Sequence, residues 1–480
     1  MAARLIAILC LIAGQACAQD VNYWSSNYDP GGFLTPGATI ANNGDSGVFF
    51  YNPALFAYSR KSSTSISGTI YQYQSIHIAD GAGTGLPLNS FGGSVIPQMA
   101  SNTISLKLKK PFTVAYAILH EPIMTFTATQ RKDALLNALS DSYSPGPETF
   151  VGQYTLQNNI DETAGILSGG FKLGPRLAAG LSAEGRIRKQ TYSTNINARA
   201  VFNTSTDTVF PPIASAESYY LNTYTHIGFR VKAGLAFDAG DRDHLGLLIS
   251  SPLVHIAGSS TIVADNQISN IKDATTFTFY FLATTRQTNL PARFKIPLSI
   301  ALGYTHDFGN SQLFFSAEYF SKLKEYNIVT PRNGAFIRPA DSIANTNTAD
   351  LIKLKDAHRA ILNLAVGYSQ QLTAAVTGFL SFRTDFNYAT PSAFKDDYNN
   401  AYISNTASWD LYHVQAGANF RRRKFNLRVG LLLEYGHTSA YPQQVNFDNP
   451  NENNILLGDT HPTKATRLSG GLLFSYIHNL

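Results

Sequence analysis

Two arginines, Arg186 and Arg188, follow Glu184 at alternate positions in the stretch LAAGLSAEGRIR. Alternate residues of a β-strand point to the same side, so we expect these three charged side chains on one face. Guanidinium groups bind carboxylates through charge-assisted hydrogen bonds, which makes the two arginines candidates for contact with an acidic ligand. The alternative is that such cations pair with the chain's own acids, among them Glu184, Asp385 and Glu434, and only fill a polar interior.

The sequence contains no motif that indicates catalysis or a cofactor. Its eleven histidines show neither the H-E-x-x-H pattern nor another zinc-binding spacing. A hydrolase would need a nucleophile beside an imidazole, and the stretch HLGLLISS places a histidine near serines without any nucleophile motif. The stretch GAGTG lacks the lysine of a phosphate-binding loop. We therefore expect no enzyme, no catalytic residues, no metal and no cofactor.

The composition excludes several classes of protein. Charged residues make up 14% of the 480 residues, below the share of about 25% that is usual in soluble chains. A helical membrane protein would need runs of about 20 apolar residues, and the sequence contains none. The formal net charge of +5 over this length gives no indication of nucleic-acid binding.

Residues 1–18 have the organisation of a secretory signal peptide. Arg4 precedes the apolar run LIAILCLIAG, and the tripeptide ACA that ends the segment predicts cleavage before Gln19. A lipoprotein cut before Cys17 is the alternative. Both cysteines, Cys10 and Cys17, belong to this segment, so the mature chain would have no disulfide framework.

Four stretches alternate between apolar and polar residues over ten or more positions: LAAGLSAEGRIR, HIGFRVKAGLAFD, LTAAVTGFLSFRTDF and FNLRVGLLLEY. In the last of them one face would carry Phe425, Leu427, Val429, Leu431, Leu433 and Tyr435. Such alternation predicts strands with one apolar and one polar face. Strands of soluble proteins average about five or six residues, whereas strands that cross a membrane need about 9–11.

Short turns and long polar connections are interleaved along the chain. The predicted turns lie at 109–111, 173–175, 238–244, 307–311, 369–371 and 421–424. The long connections lie at roughly 80–90, 131–150, 199–215, 262–290, 329–352, 389–405 and 441–464. Seven hairpins joined by six turns predict an all-β fold, an antiparallel transmembrane β-barrel of about 14 strands over residues 62–480. A secreted β-sandwich or β-helix is the alternative.

Residues 19–61 cannot form long strands, because glycine and proline recur throughout them. They also contain an apolar cluster that needs burial, formed by Val48, Phe49, Phe50, Tyr51, Leu55 and Phe56. Asn52 and Pro53 suit the start of a short helix, since asparagine caps helices and proline is tolerated at the first position. A barrel of this size has a lumen, so we expect this segment to be a short hatch, or plug, inside it. An extension outside the barrel is the alternative.

The stretch GATIANNGDSGVFFYNPALF resembles the N-terminal hatch of the FadL/TodX family of outer-membrane transporters for long-chain fatty acids and hydrocarbons. The matching positions are Gly37, Ala38, Ala41, Asn42, Asp45, Asn52, Pro53 and Ala54. More diffuse similarities follow in order along nearly the whole mature chain, at VIPQ, LGLLISSPLVHIAGSSTI and LPARFKIPLSIALGY. The resemblance implies a fourteen-stranded barrel, in agreement with the count of turns and loops.

The resemblance also implies a transport route. In that family an apolar ligand enters an internal apolar pocket and leaves sideways through a gap in the wall, where the third strand is kinked. Here the third strand would be FTVAYAILHEPIMTFTATQ, and Pro122 interrupts it, since proline removes a hydrogen bond of the ladder. Pro122 is therefore a candidate for the kink, with an ordinary bulge or strand end as the alternative. Arg186 and Arg188 lie where the family's carboxylate-contacting cation tends to fall.

We therefore expect a protein of the Gram-negative cell outer membrane that transports hydrophobic small molecules, with the hatch aromatics as candidate pocket walls. The expected partners are the hydrophobic ligand and outer-membrane lipids, with no nucleic acid. The alternatives are a porin-like or structural barrel and an outer-membrane lipid hydrolase. The sequence leaves open whether the ligand is a fatty acid, an aromatic hydrocarbon or another lipid, and it does not specify the oligomeric state.

Overall fold

The computed structural model describes residues 22–24, 34–41, 51–58, 62–106, 112–203, 211–272, 278–340, 347–389, 402–403 and 409–480. Its first strands are β1 (Ser63–Ile78), β2 (Leu88–Leu106), β3 (Phe112–Leu136), β4 (Glu148–Lys172), β5 (Leu177–Val201), β6 (Ile213–Asp238), β7 (Asp243–Ser250), β8 (Val254–Lys272), β9 (Thr278–Pro291) and β10 (Ser299–Asp307). The others are β11 (Ser311–Phe320), β12 (Leu323–Val329), β13 (Leu354–His358), β14 (Ile361–Thr373), β15 (Val376–Asp385), β16 (Tyr402–Ile403), β17 (Asp410–Arg421), β18 (Phe425–Pro442) and β19 (Pro462–Asn479). Short helices span Pro53–Tyr58, Thr348–Leu351 and Glu452–Asn454.

Sixteen of the strands form one closed antiparallel barrel, and β12, β13 and β16 form a separate small sheet. β1 pairs with β2 on one side and with β19 on the other, which joins the two ends of the sheet. β7 and β8 both pair with β6 and occupy one passage of the wall, and β9 and β10 share the next passage. The prediction of a barrel of about fourteen antiparallel strands is confirmed. Among the described residues, no helix has the length and apolar character needed to span a membrane.

One end of the barrel carries short turns and the other carries long loops. Turns at 173–176, 239–242, 308–310 and 422–424 lie where the sequence predicts them. The predicted turn at 369–371 is wrong: β14 continues to Thr373 because Ser369 and Gln370 still pair with β11. The predicted turn at 109–111 lies outside the described residues.

The loop-end halves of the strands are longer than the sequence predicts. The predicted connection at 262–290 is mostly strand, since β8 reaches Lys272 and β9 begins at Thr278. β3 likewise continues to Leu136, six residues beyond the stretch predicted for it. The ladders of β3, β4, β5 and β6 therefore extend well past the ten or so residues that cross a bilayer.

β4 shows how the wall changes between its two ends. Near the turn end, Leu167 and Phe171 point outward and are exposed, while Ser168 points inward. Near the loop end the arrangement is reversed, because Phe150 and Tyr154 are buried on the inner face. The outward positions there are polar: Gln153, Thr155, Gln157, Asn159 and Asp161. The turn-end half thus has an apolar outside, and the loop-end half has an apolar inside.

A single large core fills the loop-end half of the barrel. It includes Phe126, Phe150, Tyr192 and Tyr220 from neighbouring strands, and Phe447 from the loop between β18 and β19. This core buries the apolar surface that the loop-end strands turn away from water. It therefore holds together the part of the wall that has polar residues on its outside.

Candidate functional site

Residues 51–58 lie against the inner side of the wall at β3 to β6. The wall provides room for them with glycines: a Cβ added at Gly180 would overlap the carbonyl group of Pro53, and one at Gly234 would overlap the Asn52 side chain. The backbones approach each other so closely that only a residue without a side chain fits. The glycines of β5 and β6 therefore position the Pro53–Tyr58 helix.

Asn52 joins the two larger described pieces of the N-terminal segment to the wall. Its Nδ2 donates to the carbonyl oxygens of Ile40 at 2.8 Å and Leu235 at 3.1 Å. Its Oδ1 accepts from the Ala54 N–H at 3.1 Å and caps the short helix. Asn52 and Ala54 are fully buried. Asn52 of the sequence motif therefore fixes the two pieces of the segment to each other and to the wall.

The other described residues that the sequence predicted for the segment contact different parts of the wall. Gly37 has φ of 76° and accepts a hydrogen bond at its carbonyl oxygen from Ser316 Oγ. Leu55 packs on Ala178 and Ala236, and Phe56 packs below Met99 and Leu119. Five predicted residues lie outside the described part of the chain: Asn42, Asp45, Val48, Phe49 and Phe50.

An internal cavity of about 130 Å³ lies between the N-terminal segment and the wall. Ile40 and Tyr51 of the segment line it, together with a group of aromatic residues that includes Trp24, Phe294 and Phe320. The segment is fixed beside the cavity at Asp385, whose carboxylate accepts from the N–H groups of Tyr23 at 3.1 Å and Trp24 at 3.0 Å. Among the predicted pocket walls, Tyr51 lines this cavity, whereas Leu55 and Phe56 do not.

The opposite side of the cavity is charged. Arg186 contacts three carboxylates, those of Glu162 and Glu184 closely and that of Glu121 at 3.6 Å. Arg188 Nη1 lies 2.5 Å from the second carboxylate oxygen of Glu162. Two further cations, Arg230 and Lys232, lie 2.9 Å and 3.2 Å from Glu184. Four cations therefore face three carboxylates, all on the inner face of β3 to β6, where the polarity of the wall reverses.

Arg188 has further contacts on the side away from Glu162. Its Nε donates to Tyr224 at 3.1 Å, and its guanidinium lies 4.0 Å from the centre of the Phe294 ring. Its Nη2 is buried and has no hydrogen-bond partner among the residues that the structure describes. A buried donor that is left unpaired costs free energy. Because Arg188 lines the cavity, a ligand with an acceptor atom would meet this donor there.

The two edges of β3 are paired to very different extents. Along the edge towards β4, pairing runs from Phe112 to Leu136. Along the edge towards β2, it runs only from Phe112 to Leu119, opposite Leu106 to Met99. Beyond that point β2 pairs only with β1 among the described strands. The main-chain ladder between β2 and β3 is therefore open over their loop-end halves.

Pro122 lies three residues beyond the last pair of the β2–β3 ladder. The register between β3 and β4 shifts between Pro122 and Met124, so a bulge occurs there. Because of the bulge, odd-numbered residues of β3 point inward up to Glu121, and even-numbered residues point inward from Met124. Glu121 and Ile123 both line the cavity. The proline thus stands where the cavity reaches the open edge of the wall.

Sequence reasoning placed Arg186 and Arg188 on the inner face but missed most of what surrounds them. Glu121 lies on β3, Glu162 lies on β4, and Phe294 lies in the connection between β9 and β10. One signal was present, since Glu162 stands between the apolar residues Ile160 and Ala164 on the inward face of β4. Among the described residues, no group of three or more histidine, cysteine or acidic side chains is arranged to hold a metal ion.

No protein-family model matches the sequence, and no curated protein matches it. Among solved structures, a FadL homologue of Pseudomonas aeruginosa superposes with a TM-score of 0.55 and 14% identity, over 97% of this chain and 100% of the other. The chain has the FadL/TodX-type transporter fold. The toluene transporter TbuX of Ralstonia pickettii has a TM-score of 0.54 and 11% identity, over 95% and 99% of the chains. The toluene transporter TodX of Pseudomonas putida has a TM-score of 0.52 and 10% identity, over 97% and 100%.

Proposed function

We propose that this protein is an outer-membrane transporter for hydrophobic small molecules, exported by the signal peptide of residues 1–18. Residues 19–61 form its hatch inside the barrel. A ligand reaches the internal cavity and leaves sideways between β2 and β3. The observation that carries this proposal is that Glu121 and Ile123 line the cavity and flank Pro122, where the β2–β3 ladder is open.

Lateral release suits an apolar ligand. Such a molecule gains about 25 cal/mol per Å² of surface removed from water, and an exit into lipid keeps that gain. The turn-end half of the wall has apolar residues outside, so the open edge of β3 begins beside the expected bilayer. Phe56 packs under Met99 and Leu119, the last pair before the opening, and supports the wall there.

The cavity holds either a small group of the ligand or one end of a longer ligand. Cavities of about 150 Å³ hold a benzene ring, so about 130 Å³ suits a ring or the end of a longer chain. The two toluene transporters with this fold make an aromatic ring one candidate. The unpaired Nη2 of Arg188 supports a carboxylate at this end, because a charge-assisted hydrogen bond would satisfy the donor. A fatty acid combines such a carboxylate with a long apolar chain.

Transport into lipid vesicles tests the route. Reconstituted protein should transfer oleate but pass no small polar solute, since the hatch fills the lumen. Ile123→Trp should slow oleate transfer about tenfold, because an overpacked cavity edge costs 1–3 kcal/mol. Ile118→Trp is the control, since Ile118 lies on the same strand but points outward and is 65% exposed. Polar conductance without oleate transfer, or equal rates in both variants, would contradict the proposal.

Binding of two matched ligands tests the role of Arg188. Arg188→Gln should weaken oleate about tenfold or more, since a hydrogen bond to a charged group contributes about 1.5–3 kcal/mol. Oleyl alcohol has the same chain without the carboxylate, so its affinity should hardly change. An equal loss for both ligands would show that Arg188 only supports the packing around Phe294.

A further inference from the structure

The hairpin of β17 and β18 ends in four consecutive basic residues, Arg421, Arg422, Arg423 and Lys424. All four are exposed. Within the described part of the chain, none of them has a carboxylate partner. The turn is held by main-chain bonds instead, from the Arg422 N–H to Phe425 and from the Arg421 N–H to Ala375. Four cations are thus presented at the turn end of the barrel with no internal use for their charge.

Aromatic residues mark the level of this turn relative to the bilayer. Phe420 precedes the basic residues and points outward, and Phe425 follows them and stacks on Tyr476 at 5.7 Å between ring centres. Aromatic side chains of membrane barrels collect at the two interfaces between lipid and water. The basic turn directly below this belt therefore lies among the lipid headgroups of the periplasmic leaflet.

An apolar groove lies on the outer face of the same hairpin and of the neighbouring strands β19 and β1. The groove has a volume of about 450 Å³, far more than the 30 Å³ or so that one water occupies. Its floor is Gly470, and its walls include Tyr73, Val414, Leu431 and Leu472. A Cβ added at Gly470 would meet no atom closer than 3.8 Å, so the missing side chain leaves open space.

The depth of the groove fits an acyl chain that starts at the turn. Leu431 lies six residues beyond Phe425, which is roughly 20 Å along the strand and roughly 15 Å in depth for a strand tilted by about 40°. Half of the hydrocarbon core of a bilayer is also about 15 Å. Between the basic turn and the groove, the outer face of β17 carries only the small side chains of Ala416 and Ala418 at these two positions, so they add little bulk there. One lipid can therefore occupy both the groove and the basic turn.

We propose that the outer face of the β17–β18 hairpin binds a diacyl phospholipid with an anionic headgroup from the periplasmic leaflet. The phosphate and any further acidic group contact Arg421 to Lys424, and one acyl chain lies in the groove over Gly470. This inference rests on the proposed placement in the outer membrane. It concerns the wall away from the β2–β3 opening, so it can fail while transport is confirmed.

Native mass spectrometry of the purified full-length protein tests the site. The probes are phosphatidylglycerol and phosphatidylethanolamine with identical acyl chains, and inorganic phosphate alone. We expect phosphatidylglycerol to be retained about tenfold better than phosphatidylethanolamine, because each basic residue near an anionic headgroup contributes to binding. Equal retention of the two lipids, or displacement by millimolar phosphate, would overturn the proposal.

Two variants with matched controls separate the headgroup from the chain. Replacing Arg421, Arg422, Arg423 and Lys424 by glutamine should remove the preference for phosphatidylglycerol. Gly470→Leu should fill the groove and lower retention of both lipids about fivefold or more, since the acyl chain loses its burial. The control Gly165→Leu changes another outward glycine with open space around it. If Gly470→Leu instead separates a dimer and leaves lipid retention unchanged, the groove holds a second copy of the chain and the proposal is wrong.

Discussion

The turn-end and loop-end halves of the barrel use the same strands in opposite ways. On β4, Leu167 and Phe171 point outward near the turns, whereas Phe150 and Tyr154 point inward near the loops. The outer face of the loop-end half is polar, as expected in contact with water. The hydrogen bonding of β4 is regular along its whole length. Its apolar side chains nevertheless face lipid on the outside near the turns and the apolar core on the inside near the loops.

The position of the reversal explains where the charged cluster lies. Glu162 is the inward residue of β4 at the boundary, and it holds Arg186 and Arg188. Charges buried in the apolar core above would require still more compensation, and charges on the lipid face below would be excluded. At the boundary inside the lumen, cations and carboxylates are buried together and compensate one another's charge. The open edge of β3 begins at this same level, beyond Leu119.

The largest effect that should distinguish the halves comes from removing a phenylalanine at each end of β4. Phe150→Ala should destabilise the protein by about 3–5 kcal/mol, because it leaves a cavity in the loop-end core beside Phe447. Phe171→Ala should cost about 1 kcal/mol, since its ring points outward, is only partly covered and lies 6.2 Å from Phe112 between ring centres. Urea unfolding in phospholipid vesicles measures both. Equal losses would mean that the loop-end half is not packed as a core.

Placing a charge on the outer face should give a smaller difference in stability between the two halves. Here the turn-end variant should be the less stable one. Leu167→Arg should cost about 2 kcal/mol, because the guanidinium enters the lipid-facing part of the wall. Gln157→Arg, ten residues away on the same face of β4, should change the free energy of unfolding by less than about 0.5 kcal/mol. The same vesicle-based measurement applies. A substantial cost at position 157 would place the lipid boundary beyond the observed reversal of polarity.

The reversal also decides how much of the fold could be predicted from the sequence. The stretch FNLRVGLLLEY was predicted to be a two-faced strand and lies within β18, and the faces of β5 near Arg186 are as expected. Alternation in these parts has lipid on one side, so it is strong. In β8, Ile262, Ala264 and Ile268 are buried while polar residues face water, but the contrast between the faces is weaker and was interpreted as a loop.

The candidate site was predictable only one strand at a time. Period-two alternation places Arg186 and Arg188 inward, yet their partners Glu121 and Glu162 depend on the register between β3, β4 and β5. Register is set by the pairing of whole strands and by turn geometry, which a local pattern does not contain. The open β2–β3 edge is a property of two strands together, so Pro122 alone could indicate an interruption but not its extent.

The smallest effect concerns the top of this open edge, where a loop replaces the missing ladder. The Asp448 carboxylate accepts from the Thr84 N–H at 2.7 Å and pairs with Lys132 of β3 at 3.0 Å, so it connects the β1–β2 loop to β3. Partial burial acts to raise the pKa of Asp448, but the hydrogen bonds from Thr84 and Lys132 outweigh it and hold the pKa below the ordinary 3.8. The stabilisation is therefore fully present above the ordinary pKa and is lost as the pH falls through the lower value of the folded protein.

Acidification below pH 4 should thus loosen the connection while the paired β3–β4 edge is unchanged. Protection of residues 79–87 from hydrogen exchange should fall in the native protein towards that of Asp448→Asn, because a protonated Asp448 is neutral, as the variant's side chain is at every pH. At pH 7 the two proteins should differ: the native loop should be better protected than that of the variant, since only the native carboxylate pairs with Lys132. If the two proteins respond to acid in the same way, the loop contact does not depend on the charge of Asp448. The open edge is then held by the apolar core around Phe447 and by side-chain bonds such as that from the Thr127 N–H to Ser90 Oγ at 3.1 Å.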